Sequence, residues 1–328
     1  MTLLRKKLND KLHGFGYLCR LISVTPNWAT VWKHRRERHM LPPLRLRNGV
    51  VLHSGSYDSP VLLLNEVFID RWYEIGALPP PDANMLDIGA NIGAVTLFWA
   101  ARSQSLRIHG YEPNPSAFDT LVRNLGQNRL QQRVRVFSEA VGRQTGSLNL
   151  WVDIPTELST GYLDKSPCEG GRRISVPLVG IDDVWERLNK ENVWLLKIDT
   201  EGAEVDILEG ASQAFLKAVK NAIVEYHDNI TPGSLARCRE ILEASGFHCR
   251  VLSHPWDEGI IYARRDQSPE VFSRKKWPYA DTRQQYRVFR VRRAFLYRHK
   301  DCRCRQGAQP SAGKRRGEDH GAPTPLTE

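Results

Sequence analysis

The sequence predicts an α/β fold built on a mostly parallel sheet. Three observations carry that expectation. From residue 84 onward short apolar runs alternate with helix-period segments, the pattern of parallel strands covered by helices. The first run leads into a glycine turn, "DIGANIG" (87–93), with a helical pattern directly behind it. The second run ends in an acid, Glu112, within "YEPNP" (111–115), at the carboxyl end where open α/β sheets bind ligands.

The elements follow in order. "LPPLRLRNGVVLHSGSYDSPVLLLNEVFID" (41–70) predicts short strands around an Asn-Gly turn and then a helix, and "ALPPPDA" (77–83) is a proline-rich connector. Strands are expected near 84–88, 107–112, 133–138, 193–199, 221–226, 247–252 and 259–263. Helices are expected near 93–102, 115–127, 203–217 and 233–245. An insertion at 142–190 carries the extended segments "SLNLWV" and "RISVPLVG". Its polar loop, residues 159–173, is long enough to cover an acceptor pocket. The expected organisation is a basic extension (1–44), a strand-rich lead-in (45–83), a catalytic domain (84–263), a basic aromatic segment (264–305) and a disordered tail (306–328).

The chain has 328 residues, 41% of them hydrophobic, which suits one large core with terminal extensions. No run of about 18 apolar residues predicts a membrane span, and the basic N-terminus lacks the long apolar core of a secretion signal. Six scattered cysteines (Cys19, Cys168, Cys238, Cys249, Cys302 and Cys304) fit reduced thiols and a cytoplasmic protein. The net charge of +10 is unevenly spread: +9 over residues 1–50, −9 over 51–263 and +10 over 264–328. Nucleic acid or an anionic membrane would therefore meet the ends. Residues 274–300 interleave arginines with apolar residues as a basic amphipathic helix does. A helix docked by its apolar side explains that pattern as well as membrane or nucleic-acid contact.

The chemistry-bearing residues sit at strand ends. A turn of Gly89, Asn91 and Gly93 lets backbone approach a ligand at a helix N-terminus. A dinucleotide fingerprint needs glycine where Asn91 and Ala94 stand, so a nicotinamide cofactor is disfavoured. Asp87, two residues ahead of the first glycine, suits a cationic ligand such as an amine or sulfonium. Glu112 suits the two hydroxyls of a ribose. Ser138, Glu139 and Ala140 end the third strand, where an adenine would lie.

With these motifs in place the sequence resembles the FkbM family of S-adenosylmethionine-dependent methyltransferases. The resemblance rests on "DIGANIG", "YEPNP", "EAVG", "LLKIDTEGAEVDILEGA" (195–211) and "IVEYH" (223–227) and covers about residues 45–250. It implies the class I methyltransferase (Rossmann-like) three-layer sandwich, seven-stranded, with an antiparallel final strand. It also implies methyl transfer, usually to a hydroxyl of a sugar or polyketide-type product. Carried over to this chain, Asp87, Gly89, Asn91 and Gly93 would hold the methionine half of the cofactor. Glu112 with its neighbour Pro113 would hold the ribose, and Glu139 with Ala140 would border the adenine. Asp199 would line the site, with Lys197 a structural partner on the same strand face.

Removal of the acceptor proton by a side chain adds about 10²–10⁴-fold to such a transfer. The candidates are Asp199, Glu201, Glu225 and His227, the last two sharing a strand face. No His/Asp/Glu cluster of metal-ligand spacing stands out, so metal-independent chemistry is expected. The competing expectations are an RNA methyltransferase gripping phosphate with its basic ends, and a non-catalytic S-adenosylmethionine-binding scaffold. Base N-methylation is disfavoured because "DTEG" follows the fourth strand, where a Pro-Pro-aromatic motif would be needed.

Overall fold

The computed structural model describes residues 15–37, 41–54, 59–152, 159–160, 172–254 and 257–266. The expected helix within 274–300, the tail 306–328, most of the loop 159–173 and Cys168, Cys302 and Cys304 lie outside the described residues. The described cysteines, Cys19, Cys238 and Cys249, are free thiols.

Residues 15–24 (α1) and Trp28–Glu37 (α2) are helical. Tyr17, Leu21 and Val31 are buried in the main core, so the basic N-terminal segment is docked by its apolar positions. A two-stranded hairpin follows, β1 (Leu44–Arg45) and β2 (Val51–Leu52), turning at Gly49 with φ 90°. It is tied to the body by Asn128 and Asn124, whose side-chain carbonyls accept from the N–H of Val51 (2.8 Å) and His53 (2.7 Å). The helix expected after the hairpin is α3 (Ser59–Leu63) running into a π-helical turn over Leu64–Ile69.

The central sheet takes β3 (Asn84–Ile88), β4 (Arg107–Tyr111), β5 (Val134–Phe137), β10 (Val193–Ile198), β11 (Val219–His227), β12 (His248–His254) and β13 (Glu258–Arg264). Their order is β12-β13-β11-β10-β3-β4-β5. The sheet is mixed rather than mostly parallel. β5, β4, β3, β10 and β11 pair in parallel, whereas β13 is antiparallel to both β11 and β12. The cause is local: only a short turn separates β12 from β13, too little chain for the crossover a parallel pair requires.

Side chains alternate across this sheet, and both faces are buried. Met85, Ile108, Leu195, Ile223 and Ile260 face one core, whereas Leu86, Leu196, Val224 and Ile261 face the other. The first core is covered by α4 (Ala94–Ala100), α5 (Pro115–Gln127) and the N-terminal elements. Here Trp99 meets Trp194 edge to face, ring centroids 5.0 Å apart. The second core is covered by α6 (Ile181–Glu186), α7 (Glu204–Gly210), α8 (Gln213–Ala218) and α9 (Ser234–Ala244).

Two expectations change. The helix expected over 203–217 is broken into α7 and α8, because Gly210 presses against the Arg143 backbone and Ser212 caps a new start by accepting from the Phe215 N–H (3.1 Å). The third strand, expected near 133–138 and ending in Ser138, Glu139 and Ala140, stops at Phe137, and a separate strand begins at Ala140. β5 stays in the central sheet, while β6 (Ala140–Gly142) joins a second sheet with β7 (Gly146–Val152), β8 (Ser159–Thr160) and β9 (Arg172–Gly180), in the order β6-β9-β7-β8.

Candidate active site

The turn after β3 is held in an unusual backbone conformation. Gly89, Asn91 and Gly93 all have positive φ (75°, 50° and 88°). The N–H groups of Gly89 and Ala90 both donate to the Tyr111 carbonyl at 2.9 Å, fastening the turn to the end of β4. A Cβ on Gly89 would stand 1.8 Å from the backbone oxygen of Asp199, so the close approach of β10's end admits no side chain there. Gly89→Ala should therefore cost more than the roughly 1–2 kcal/mol of a left-handed alanine alone. A matching fall in the urea unfolding midpoint is the expected result.

Glu112 joins the turn to β4. Its Oε2 accepts from the Asn91 N–H and its Oε1 from the Asn114 N–H, each at 2.8 Å. Burial pushes this carboxyl up to about 7, against the pull of those two backbone donors. Pro113 follows it, half-buried, and Asn114 caps α5 by accepting from the Ser116 N–H (3.0 Å).

Asp87 lies under the turn and is fully buried. Its Oδ2 accepts from the Thr96 hydroxyl (2.6 Å), and its Oδ1 faces the Lys197 ammonium at 3.2 Å. Lys197 stands opposite Asp87 in the β3/β10 register and also donates to the carbonyls of Gly89 (2.5 Å) and Ile88 (3.3 Å). Burial works against its charge, but Asp87 and then Asp199 outweigh that and raise its pKa. The cation that meets Asp87 is thus the protein's own.

Asp199, one residue past β10, has a quarter of its side chain exposed; its Oδ2 lies 3.5 Å from Lys197 and accepts from the Tyr73 hydroxyl (3.1 Å). Tyr73 also meets Glu225 Oε2 at 2.7 Å. Burial, then the charge of Asp199, pushes Glu225 up to about 7. The turn beyond Asp199 is left-handed at Glu201 and Gly202 (φ 55° and 116°) and is pinned by Glu204, whose Oε1 accepts from the N–H groups of Thr200 and Gly202, each at 3.1 Å.

His227 was expected to be a candidate base. It is buried, and its Nδ1 meets the same Glu204 oxygen at 3.0 Å, with Nε2 3.7 Å from Glu201. Burial alone would lower its pKa, but Glu204 and Glu201 prevail and hold it well above 6.5, while Glu204 is held down by His227. This is an imidazolium–carboxylate pair that fixes the turn, and an imidazolium cannot take up an acceptor's proton.

The spacing in sequence suggested no metal cluster. The fold nevertheless gathers one ligand atom each from Asp199, Glu225 and His227 within 4.8 Å. Tyr73 and Lys197 meet one oxygen of Asp199, and Tyr73 meets one oxygen of Glu225, which ties the group into a hydrogen-bonded network.

Between β5 and β6 Glu139 is held by Arg187 through two contacts, Nη1–Oε2 at 2.6 Å and Nη2–Oε1 at 3.3 Å. That guanidinium also lies 4.9 Å from the Phe137 ring centroid, and Phe137 stacks on Tyr111 (4.9 Å between centroids, 16° between planes). Ala140 is buried at the start of β6. Tyr73, Glu204 and Arg187 escaped sequence reasoning, and only Glu204 had a signal, as the second acid of "TEGAE".

The buried groups also set a pH dependence. Glu112 and Glu225, raised from 4.5 to about 7, bind more protons folded than unfolded, so each withdraws stability as pH rises through that window. His227 acts in the same direction from 6.5 upward, because its stabilising proton is fully present only below its unfolded value. Their joint contribution to the urea midpoint falls as pH climbs from 4.5 through neutrality, and Glu225→Gln should flatten that slope.

Comparison with known proteins now adds what geometry alone does not. Residues 87–249 match the family profile described as "Methyltransferase FkbM domain". Methyltransferase 1 of Beauveria bassiana is 28% identical over 208 residues, covering 58% of this chain and 82% of that protein. The 31-O-demethyl-FK506 methyltransferase FkbM of Streptomyces tacrolimicus is 26% identical over 233 residues (62% and 88%). Hexuronic acid methyltransferase AglP of Haloferax volcanii is 25% identical over 186 residues (56% and 71%). With its mixed seven-stranded sheet and the turn, strand-end acid and "KIDTEGAE" run that the profile spans, the chain belongs to the FkbM family of methyltransferases.

Proposed function

We propose that this chain is an S-adenosylmethionine-dependent O-methyltransferase acting, without a metal, on a hydroxyl of a sugar, glycan or polyketide-type product. One observation carries the reading. The Gly89–Gly93 turn and Glu112 meet at the carboxyl ends of β3 and β4, with the partly exposed Asp199 beside them on β10. The residues fit the cofactor chemically. Glu112 spends two of its four or so lone-pair sites on Asn91 and Asn114, leaving acceptors for a pair of ribose hydroxyls.

When bound, S-adenosylmethionine supplies an electrophilic methyl on a sulfonium. Gly89, Asn91 and Gly93 cradle its methionine half, held from below by Asp87 and Lys197. Glu112 and Pro113 hold the ribose, and Glu139 and Ala140 border the base. Asp199 stands where an acceptor hydroxyl must lose its proton, with the Lys197 ammonium 3.5 Å from its Oδ2. Alignment of donor and acceptor is the main demand of this transfer, so a rigid, glycine-tight turn serves it. A sugar acceptor accords with the relative named a hexuronic acid methyltransferase, and an oxygen acceptor with the relative named a 31-O-demethyl-FK506 methyltransferase.

The test is a labelled-methyl transfer assay against hexuronic acids, neutral glycans and hydroxylated polyketides, with the product analysed by mass spectrometry. Label on oxygen, undiminished by a chelator, is expected. No binding of S-adenosylmethionine, or label appearing in RNA, would refute the reading.

A further inference from the structure

We propose that Tyr73 is a positioning residue that joins Asp199 and Glu225 into one proton-sharing chain and leaves the second oxygen of Asp199 to receive the acceptor's proton. This rests on the transfer site proposed above. Tyr73 precedes the matched span 87–249, and no motif points to it.

A phenol hydroxyl has one proton, yet this one touches two carboxylates, Glu225 Oε2 at 2.7 Å and Asp199 Oδ2 at 3.1 Å. Were both carboxylates ionised, one of those oxygen pairs would meet with no hydrogen between them. A single added proton removes the conflict. Geometry and charge place it on Glu225, which has the shorter contact and no cation within salt-bridge distance among the described residues. Asp199, by contrast, has Lys197 at 3.5 Å. Glu225 then donates to the Tyr73 oxygen, and Tyr73 donates to Asp199 Oδ2. Asp199 Oδ1 has no hydrogen-bond partner among the described residues. It takes the acceptor's hydroxyl proton as the new carbon–oxygen bond forms and the donor's carbon–sulfur bond breaks, with that electron pair passing to sulfur.

The other charged groups facing the chain are Glu66 from the lead-in, Glu201 from the turn after β10 and His227 from β11. Burial raises Tyr73 well above 10, so it stays a hydroxyl throughout. Its backbone is clamped on both sides by β13. The Trp72 carbonyl accepts from the Tyr262 hydroxyl (2.7 Å) and the Ile75 carbonyl from Arg264 (3.2 Å).

Infrared titration of the cofactor-free protein tests the chain directly. The wild type should show protonated-carboxyl C=O intensity that titrates at about 7 from Glu112 and Glu225 together, and the Glu225 share should be missing from Glu225→Gln. Tyr73→Phe removes the donor that Glu225 shares when ionised, so its titration should move upward. Its kcat should fall about ten- to a hundredfold with cofactor affinity unchanged, the range of a hydrogen bond to a charged group. Glu225→Gln supplies a second readout by erasing the inflection near pH 7 from the kcat profile. Undiminished carboxyl intensity in Glu225→Gln, or an unmoved titration in Tyr73→Phe, would overturn the proposal. The infrared result needs no cofactor or acceptor, so failure of methyl transfer itself would be recognised separately as failure of the proposed function.

Discussion

Lys197→Met should lower the unfolding free energy by about 3–5 kcal/mol, the usual penalty for stranding one member of a buried ion pair. The lysine is only 2% exposed and the carboxylate it would abandon, Asp87, is not exposed at all. Methionine fills similar volume, so the loss reports charge and hydrogen bonding more than packing. The Gly89 carbonyl loses its donor in the same step, while that of Ile88 keeps the Asp199 N–H at 3.1 Å. Against a typical total stability of about 5–15 kcal/mol this is a large fraction. Urea denaturation followed by circular dichroism measures it. Adding Asp87→Asn should recover part of the loss, because asparagine can still accept from Thr96 without a charge to neutralise. A single-mutant cost below about 1 kcal/mol would mean that Asp87 is neutralised by some other route.

The second large effect is expected at Glu112. Replacement by alanine deletes the acceptors proposed for the ribose and releases the Asn91 and Asn114 N–H groups that hold the turn and the start of α5. With each hydrogen bond to a charged group worth about 1.5–3 kcal/mol, cofactor affinity should fall by about a hundredfold or more. Glutamine should not rescue it, since its amide NH₂ would confront one of those two backbone donors. Calorimetric titration with S-adenosylmethionine decides the matter. Binding by Glu112→Ala within about twofold of wild type would remove this residue from the cofactor site, because such a change is worth well under 1 kcal/mol.

What the sequence disclosed was what is dictated over a few residues. Positive φ at Gly89 and Gly93, a strand ending at Ile88 and an acid two residues after Gly110 are local necessities, so the turn and Glu112 stood out without a structure. Roles set by distant partners did not stand out. His227 suggested a base because histidine titrates near neutrality, but Glu204, 23 residues away, makes it an imidazolium. Asp87 suggested a ligand for a cation because Lys197, across the sheet, could not be placed opposite it. Tyr73 lies 126 positions from Asp199, and only the folded chain brings them together. Strand boundaries were hidden for a related reason: "VRVFSEAVG" is contiguous in sequence, yet its first half, β5, pairs with β4 and its second, β6, with β9.

The grip of β13 on the segment around Tyr73 bears on how this enzyme could be recombined with its relatives. A chimera cut at the edges of the shared region, near 87 and 249, would keep Tyr73 and β13 from one parent while taking Asp199 and Glu225, the partners of Tyr73, from the other. Cutting near 41 and 266 instead would carry all of them as a matched set. Exchange of substrate preference between family members should therefore tolerate the outer junctions and fail at the inner ones.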